Sequence, residues 1–316
     1  MIGKLFTKSK GSKSKHEPAH ISSAVQESIL RTVGASSIPT MPAAAQKAFQ
    51  LSTDPKAEAR DFIEIIESDE ALSARVIKIA NSVYFDRGHK SETIEESVTV
   101  IGINELRCLL NATTLSEIFP SRIPLRSQLW ANDIATALLS RQICLRLNPA
   151  KAEIAFLAGL MHDVGKLLLL QRAEENYRQV VAIVESSGQP FVNAEAEIFP
   201  FDHTEVGLLI AEKWNFGEEL KAAIRNHHLA WDQAEVAAQH FSLPLVVKCA
   251  DILAHSIGLG QPKSMNKFRI QISEELEQVW SYLRIPLAEQ RAFISNCERQ
   301  YNLECDLFVG KKIDVL

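Results

Sequence analysis

Disulfide scaffolding, membrane-length hydrophobic runs and an excess of positive charge are all missing from this chain of 316 residues. Its five cysteines, Cys108, Cys144, Cys249, Cys297 and Cys305, are odd in number and contain no C-x-x-C pair. That excludes a disulfide framework and suits reduced, mostly buried thiols in a cytosol. The longest apolar stretches, such as Leu167–Leu170 and Leu208–Ala211, fall far short of the ~18 residues a bilayer span needs. The first fifteen residues hold five lysines and no acid, but the apolar core of roughly 7–15 residues that defines a signal peptide does not follow. Basic residues are outnumbered 34 to 39, for a net charge of −5, which removes any general drive toward nucleic acid or an anionic membrane. Thirteen glycines and twelve prolines are too few for a collagen-like or low-complexity chain. The expectation is a cytoplasmic protein that binds neither DNA nor membrane. With 46% hydrophobic residues over this length, it can bury a core without a disulfide or metal staple, so any metal is free to be functional.

What is present is helical periodicity. Apolar residues recur every three to four positions and alternating β-type runs are scarce, so the chain reads as all-α. In Asp61–Ala80, Phe62, Ile65 and Ile66 form one apolar face; Ser68-Asp69 then signals an N-cap, and Leu72, Val76, Ile79 and Ala80 form a second. Pro39 and Pro42 bracket the start of a helix at 43–51, closed by Ser52-Thr53-Asp54-Pro55. Pro120 and Pro124 interrupt the pattern and mark a boundary. Beyond them, helices are expected at 104–118 (just before the boundary), 127–147, 153–171, 174–186, 204–214, 217–227 and 243–257, with two amphipathic helices around 274–283 and 287–297. No internal repeat is visible. The division that follows is a disordered basic tail at 1–20, an N-terminal helical subdomain at 21–120, a helical bundle at 125–258 and a C-terminal helical extension at 259–316.

The nine histidines decide where chemistry can lie. His162-Asp163 sits within the apolar stretch 155–166, where an unpaired charge costs several kcal/mol to bury. Partners must stand opposite, and the candidates are His203, the His227-His228 pair and Asp251. Imidazole and carboxylate together suit Mn, Fe, Zn or Mg, and helical bundles build such sites with ligands from several helices. The separations between these residues are too long for a local finger and require convergence in space. His240 and His255, taken singly, read as hydrogen-bonded core residues.

His162-Asp163-Val164-Gly165-Lys166, His203, His227-His228 and Asp251 resemble the metal-dependent phosphohydrolases of the HD superfamily. More closely, the chain resembles the HDOD branch, the HD-related output domain of bacterial signalling proteins. Ile38-Pro39-Thr40-Met41-Pro42, the stretch Ile66–Val76, Ala80-Asn81-Ser82, Ser97–Gly102 and Asp202–Gly207 carry that resemblance across roughly residues 35–258. It implies two packed helical subdomains, the second an HD-like bundle, and a metal set of His162, Asp163, His203, His227, His228 and Asp251. HD hydrolases place one more histidine on the preceding helix, where this chain has Asn132. An amide oxygen is a poor ligand for Mn, Fe or Zn, so the resemblance implies a degenerate site whose divalent metal is weakly held or absent. Asp133 is a possible substitute, but one residue along it turns about 100° around the helix, away from where Asn132 points. The branch that cleaves cyclic di-GMP has Gly-Tyr-Pro after its histidine pair, whereas Leu229-Ala230-Trp231-Asp232 stands here. The implied function is a signal-transduction module acting through protein–protein contacts. No receiver, kinase, GGDEF or DNA-binding segment is visible, so its signalling partners are expected on other chains. The alternative is a metal-dependent phosphohydrolase acting on a nucleotide or phosphate ester, with Asp163 and His203 holding the ion and Lys166 neutralising developing charge.

Overall fold

The computed structural model describes residues 21–34, 38–41, 43–54, 56–85, 88–120, 123–231 and 241–309. The basic tail at 1–20, Pro42, Pro55 and His240 lie outside the described residues. Among those described, the protein is all-α, with no strand, and no helix is long and apolar enough to cross a membrane.

Six helices open the chain: α1 Ser23–Val33, α2 Ala43–Thr53, α3 Ala59–Glu67, α4 Glu70–Ala80, α5 Ile94–Ile101 and α6 Ile103–Ile118. Local chemistry sets their ends. The Asp69 carboxylate accepts the Leu72 N–H at 3.0 Å and starts α4, and Gly102, at positive φ, ends α5. Asn81 closes the following loop: its amide donates to the Ser91 carbonyl at 2.9 Å and its oxygen accepts the Ser91 N–H at 2.8 Å. The Ala-Asn-Ser element is thus a backbone staple. The segment Ile38–Pro39 is pinned to the bundle, its carbonyls accepting from Lys213 Nζ at 2.8 Å and Trp214 Nε1 at 2.9 Å. One continuous apolar core joins this region to the rest.

The centre of the molecule is α7, Pro124–Leu147, with proline at its start. It is buried on almost every side, from Leu125 through Cys144, as expected for a helix enclosed by others. Around it run α8 Ala152–Met161, α9 Val164–Arg172, α10 Glu174–Ser187, α11 Phe191–Ile198, α12 His203–Lys213, α13 Glu218–Asn226 and α14 Leu243–Ile257. The extension adds α15 Asn266–Ile272, α16 Leu276–Leu283 and α17 Leu287–Val309. The last of these returns to the core, where Trp130 Nε1 donates to the Phe308 carbonyl at 3.3 Å.

Helices α1, α5 and α15 were not among those expected, and three further elements differ instructively from the periodicity. The helix expected over 153–171 is two helices, broken at His162-Asp163, because α9 must turn to lie against α12. The approach is so close that a Cβ on Gly165 would overlap the His203 carbonyl oxygen. Helix α11 was not anticipated from periodicity at all, since its eight residues are short for a period of 3.6 to show. Helix α17 runs well beyond Cys297, because Leu307 and Phe308 still have core to bury.

Candidate metal centre

The break after α8 places His162 and Asp163 at a helix junction, with Lys166 in the first turn of α9. His203 begins α12, whose N-cap Asp202 accepts the Thr204 and Glu205 N–H groups at 2.8 and 3.1 Å. His227 and His228 follow α13, and Asp251 lies within α14. His162, His203 and His227 are wholly buried, and Asp163 and Asp251 nearly so.

Hydrogen bonds fix which nitrogen each imidazole presents. His162 Nδ1 donates to the Gly159 carbonyl at 2.7 Å, and His227 Nδ1 to the Ile224 carbonyl at 2.9 Å. His203 Nδ1 donates to Glu195 Oε2 at 2.7 Å; the same carboxylate accepts the His203 N–H at 2.9 Å and, through Oε1, the Tyr177 hydroxyl at 3.0 Å. Carbonyl and carboxylate oxygens only accept, so all three rings carry a proton on Nδ1 and turn Nε2 inward, where it offers a lone pair whenever the ring is neutral.

Those nitrogens converge. His203 Nε2 lies 3.4 Å from His227 Nε2 and 3.2 Å from His228 Nε2. Asp163 Oδ1 is 3.0 Å from His203 Nε2 and 3.6 Å from His227 Nε2. Four ligands at the ~2.0–2.1 Å bond lengths of a tetrahedral ion stand roughly 3.3–3.5 Å apart; the four separations above, 3.0–3.6 Å, bracket that spacing, and all four ligand atoms lie within 4.8 Å of one another. With every ring neutral, acceptor would face acceptor, which is unfavourable in a buried site unless a proton or a metal cation lies between. His162 Nε2, Asp163 Oδ1 and Asp251 Oδ1 are all buried without a hydrogen-bond partner. The donor set therefore fits a divalent cation held by Asp163, His203, His227 and His228.

His162 and Asp251 stand on the other side of Asp163. Asp251 Oδ1 is 3.5 Å from His162 Nε2 and 3.1 Å from His255 Nε2. Asp163 Oδ2 is taken by the Lys166 ammonium at 2.5 Å, which also lies 4.0 Å from the centre of the Phe191 ring. Asp133 turns from the cavity that Asn132 lines, and toward the centre. It forms a second potential ligand group with His162 and Asp163, with both carboxylate oxygens buried and without a hydrogen-bond partner. A turn of 100° on α7 exposes nothing, because that helix is enclosed all round. Asn132 instead lines a small cavity with Lys166, His255 and Gln261, so the four-ligand set does not depend on it.

The charges answer this geometry. Burial lowers the His162 pKa, but Asp163 and Asp251 outweigh it and hold the ring up at about 9. His203 is likewise raised to about 9, burial being overcome chiefly by Glu195. Burial takes His227 down to about 4 and His228 well below its usual value. Against burial, His162, Lys166 and His203 hold Asp163 well below the carboxylate range, and burial pushes Asp133 up to about 8. Two neutral imidazoles, His227 and His228, thus stand ready as ligands at neutral pH.

Glu195 and His255 escaped the sequence reading. The signal for Glu195 was present: Phe191, Ala194, Glu195 and Ile198 share one helical face, and an acid among apolar positions marks a buried partner. His255 follows Asp251 by one turn, and its role as a support for that carboxylate was hidden by reading it alone.

The HDOD domain model matches residues 38–230. The chain belongs to the HDOD family. A curated relative, an uncharacterized protein of Treponema pallidum (strain Nichols), is 24% identical over 193 residues, covering 60% of this chain and 37% of its own. This chain thus spans well under half of that relative's length. Among solved structures, an HDOD domain protein of unknown function from Geobacter sulfurreducens superposes with a TM-score of 0.69 at 22% identity, covering 88% of this chain and 94% of the other. A protein from Shewanella amazonensis SB2B named as a candidate phosphohydrolase gives 0.66 at 22% identity, over 90% and 98%. One from Marinobacter aquaeolei VT8, named as a candidate signal transduction protein, gives 0.69 at 19% identity, over 91% and 65%. At these identities the likeness is one of fold. The HDOD match ends before Asp251 and before the extension that packs beside it.

Proposed function

We propose that this HDOD protein is a signal-transduction module whose HD-type centre holds one divalent cation in a regulatory rather than a hydrolytic role, with its output read by partner proteins. The observation that carries this is the division of labour at Asp163. One carboxylate oxygen faces His203 at 3.0 Å and His227 at 3.6 Å, while the other is paired with Lys166 at 2.5 Å and faces His162 at 3.4 Å. A second cation on that side would have to compete with the ammonium already there. A cation at the four-ligand set would supply Lewis acidity and fix the relative positions of α9, α12 and α13. Glu195 would orient His203 and strengthen it as a ligand. The space beside the centre, about 120 Å³, is well below the roughly 300–1,000 Å³ of ordinary ligand pockets, which supports a closed site.

The alternative, a phosphohydrolase acting on a nucleotide or phosphate ester, is favoured by Lys166 and Lys248, which line that space together with His227, His228 and Asp251. Metal analysis of the purified protein, paired with a phosphatase and cyclic-nucleotide screen in Mn and Fe, separates the two. One ion per chain without turnover is the expected result. Turnover that vanishes in Asp163→Ala would replace the regulatory proposal with the enzyme.

A further inference from the structure

The space beside the centre is walled on one side by the C-terminal extension. Phe268 and Ile272 of α15 and Glu275 just beyond it form one wall, and all three lie past the end of the HDOD match. The roof is anchored at both ends. At its start Gly260, at a φ of +70°, lies against α7 so closely that a Cβ would stand 2.5 Å from the Ala131 carbonyl. At its far end the Glu275 carboxylate accepts the Trp231 indole N–H at 2.5 Å and pairs with Lys248 Nζ at 3.2 Å. Lys248 in turn lies 4.9 Å from the centre of the Trp231 ring, which makes a three-membered clasp.

Between these anchors the roof touches the centre through His255. Phe268 meets the His255 ring edge-on at 4.8 Å and the Phe191 ring at 5.6 Å, and the Gln261 amide contacts His255 Nδ1. His255 Nε2 reaches Asp251, and Asp251 faces His162. Lifting the roof removes both supports of His255 and opens the space over His228 and Asp251. The weak point is Glu275, whose side chain is 32% exposed while its Lys248 partner is 9% exposed. It can be reached and displaced from solvent without first unfolding anything.

We propose that residues 258–275 are an autoinhibitory roof over the HD-type centre, latched by Glu275 on Lys248 and Trp231. The inference rests on the reading of that centre as a cation site, since it names what regulates access to it. The latch couples the C-terminal extension to the Asp251 side of the centre, so a partner that pulls on one changes the other.

The test is histidine labelling of the full chain with diethyl pyrocarbonate, without added metal, read by mass spectrometry. Exposed His89 is the internal reference, and wholly buried His162 reports global unfolding. Glu275→Lys places like charge against Lys248, and Gly260→Ala pushes the roof off α7. Both are expected to speed labelling of His255 and His228 roughly fivefold or more relative to His89, the effect of losing a partly buried pair that holds a local closure. Glu289→Lys, which reverses a charge of the same extension where it pairs with Arg146, is expected to change nothing. Unchanged labelling in both roof variants, or wild-type His255 labelled as fast as His89, overturns the roof. If His162 labelling rises in Gly260→Ala, that variant has unfolded and Glu275→Lys decides alone. Manganese-loaded protein with GMP forms the second arm: phosphorus-31 line broadening is expected in Glu275→Lys and not in wild type. Failure of the chain to take up manganese defeats the cation proposal and leaves the labelling result standing.

Discussion

Arg141 and Asp163 each sit at the middle of a buried cluster of charge, and their surroundings differ in kind. Around Arg141, donors meet acceptors. The guanidinium donates to Glu105 at 3.0 Å and to Glu304 at 2.6 Å, and it lies 5.4 Å from the centre of the Phe156 ring. It thereby ties α6 and α17 to α7. Around Asp163, imidazoles converge: His162 and His203, held up at about 9, carry a second proton beside the carboxylates in the metal-free protein, whereas His227 and His228 present lone pairs. The first cluster sets one guanidinium against two carboxylates, and its effect is on how the helices are held. The second can exchange the proton between His203 and Asp163 for a metal cation, which the neutral His227 and His228 stand ready to receive. Both clusters are buried, so the convergence of imidazole nitrogens on one point is what separates a structural lock from a binding site.

Breaking the lock should give the largest effect. Arg141→Met leaves Glu304 buried and unpaired, and a loss of about 3–5 kcal/mol is expected in urea unfolding, with metal stoichiometry unchanged. Loss of metal binding from that variant while it is still folded would erase the distinction. His227→Gln attacks the other cluster. Because burial keeps His227 neutral, with a pKa of about 4, a neutral replacement leaves the charge balance alone. Titration calorimetry with Zn or Mn is expected to show affinity down by more than about 100-fold, the upper end of what second-layer partners cost, with stability of the metal-free protein nearly preserved. Glu195→Gln, acting only through the orientation and basicity of His203, should cost roughly 10–100-fold in the same titration. Asp133→Asn is the mildest. If one ion binds, as proposed, stoichiometry stays at one and affinity moves by no more than about threefold, since Asp133 is not among the four ligands. A fall from two ions to one in that variant would mean that Asp133, His162 and Asp163 form a second metal site.

The order of chemistry along the chain could be read from the sequence because polar residues in apolar helices are costly and therefore conspicuous. His162-Asp163, His203, His227-His228 and Asp251 all stood out in this way. Asp133 did not, because its expected direction was judged from helical rotation alone, and rotation says nothing when neighbours enclose the helix on every side. Glu195 was obscured by the shortness of α11. The break between α8 and α9 was invisible because Val164–Leu170 continues the apolar pattern; only the close passage of Gly165 past His203 makes the turn necessary. The roof precedes the two amphipathic helices expected around 274–283 and 287–297, in a stretch read as a basic loop, and nothing in that stretch indicates which cavity it covers.

By itself, then, the sequence determined the helical class, the HDOD membership and which side chains would have to find buried partners. The first and third follow from local periodicity and from the cost of burying polar groups, and the second from the resemblance of its motifs, matched over residues 38–230. The tertiary structure decided which lone pairs face one another, which oxygen of Asp163 Lys166 neutralises and what covers the centre. Those are matters of angles and distances between helices far apart in the chain, and they are set only when the core packs.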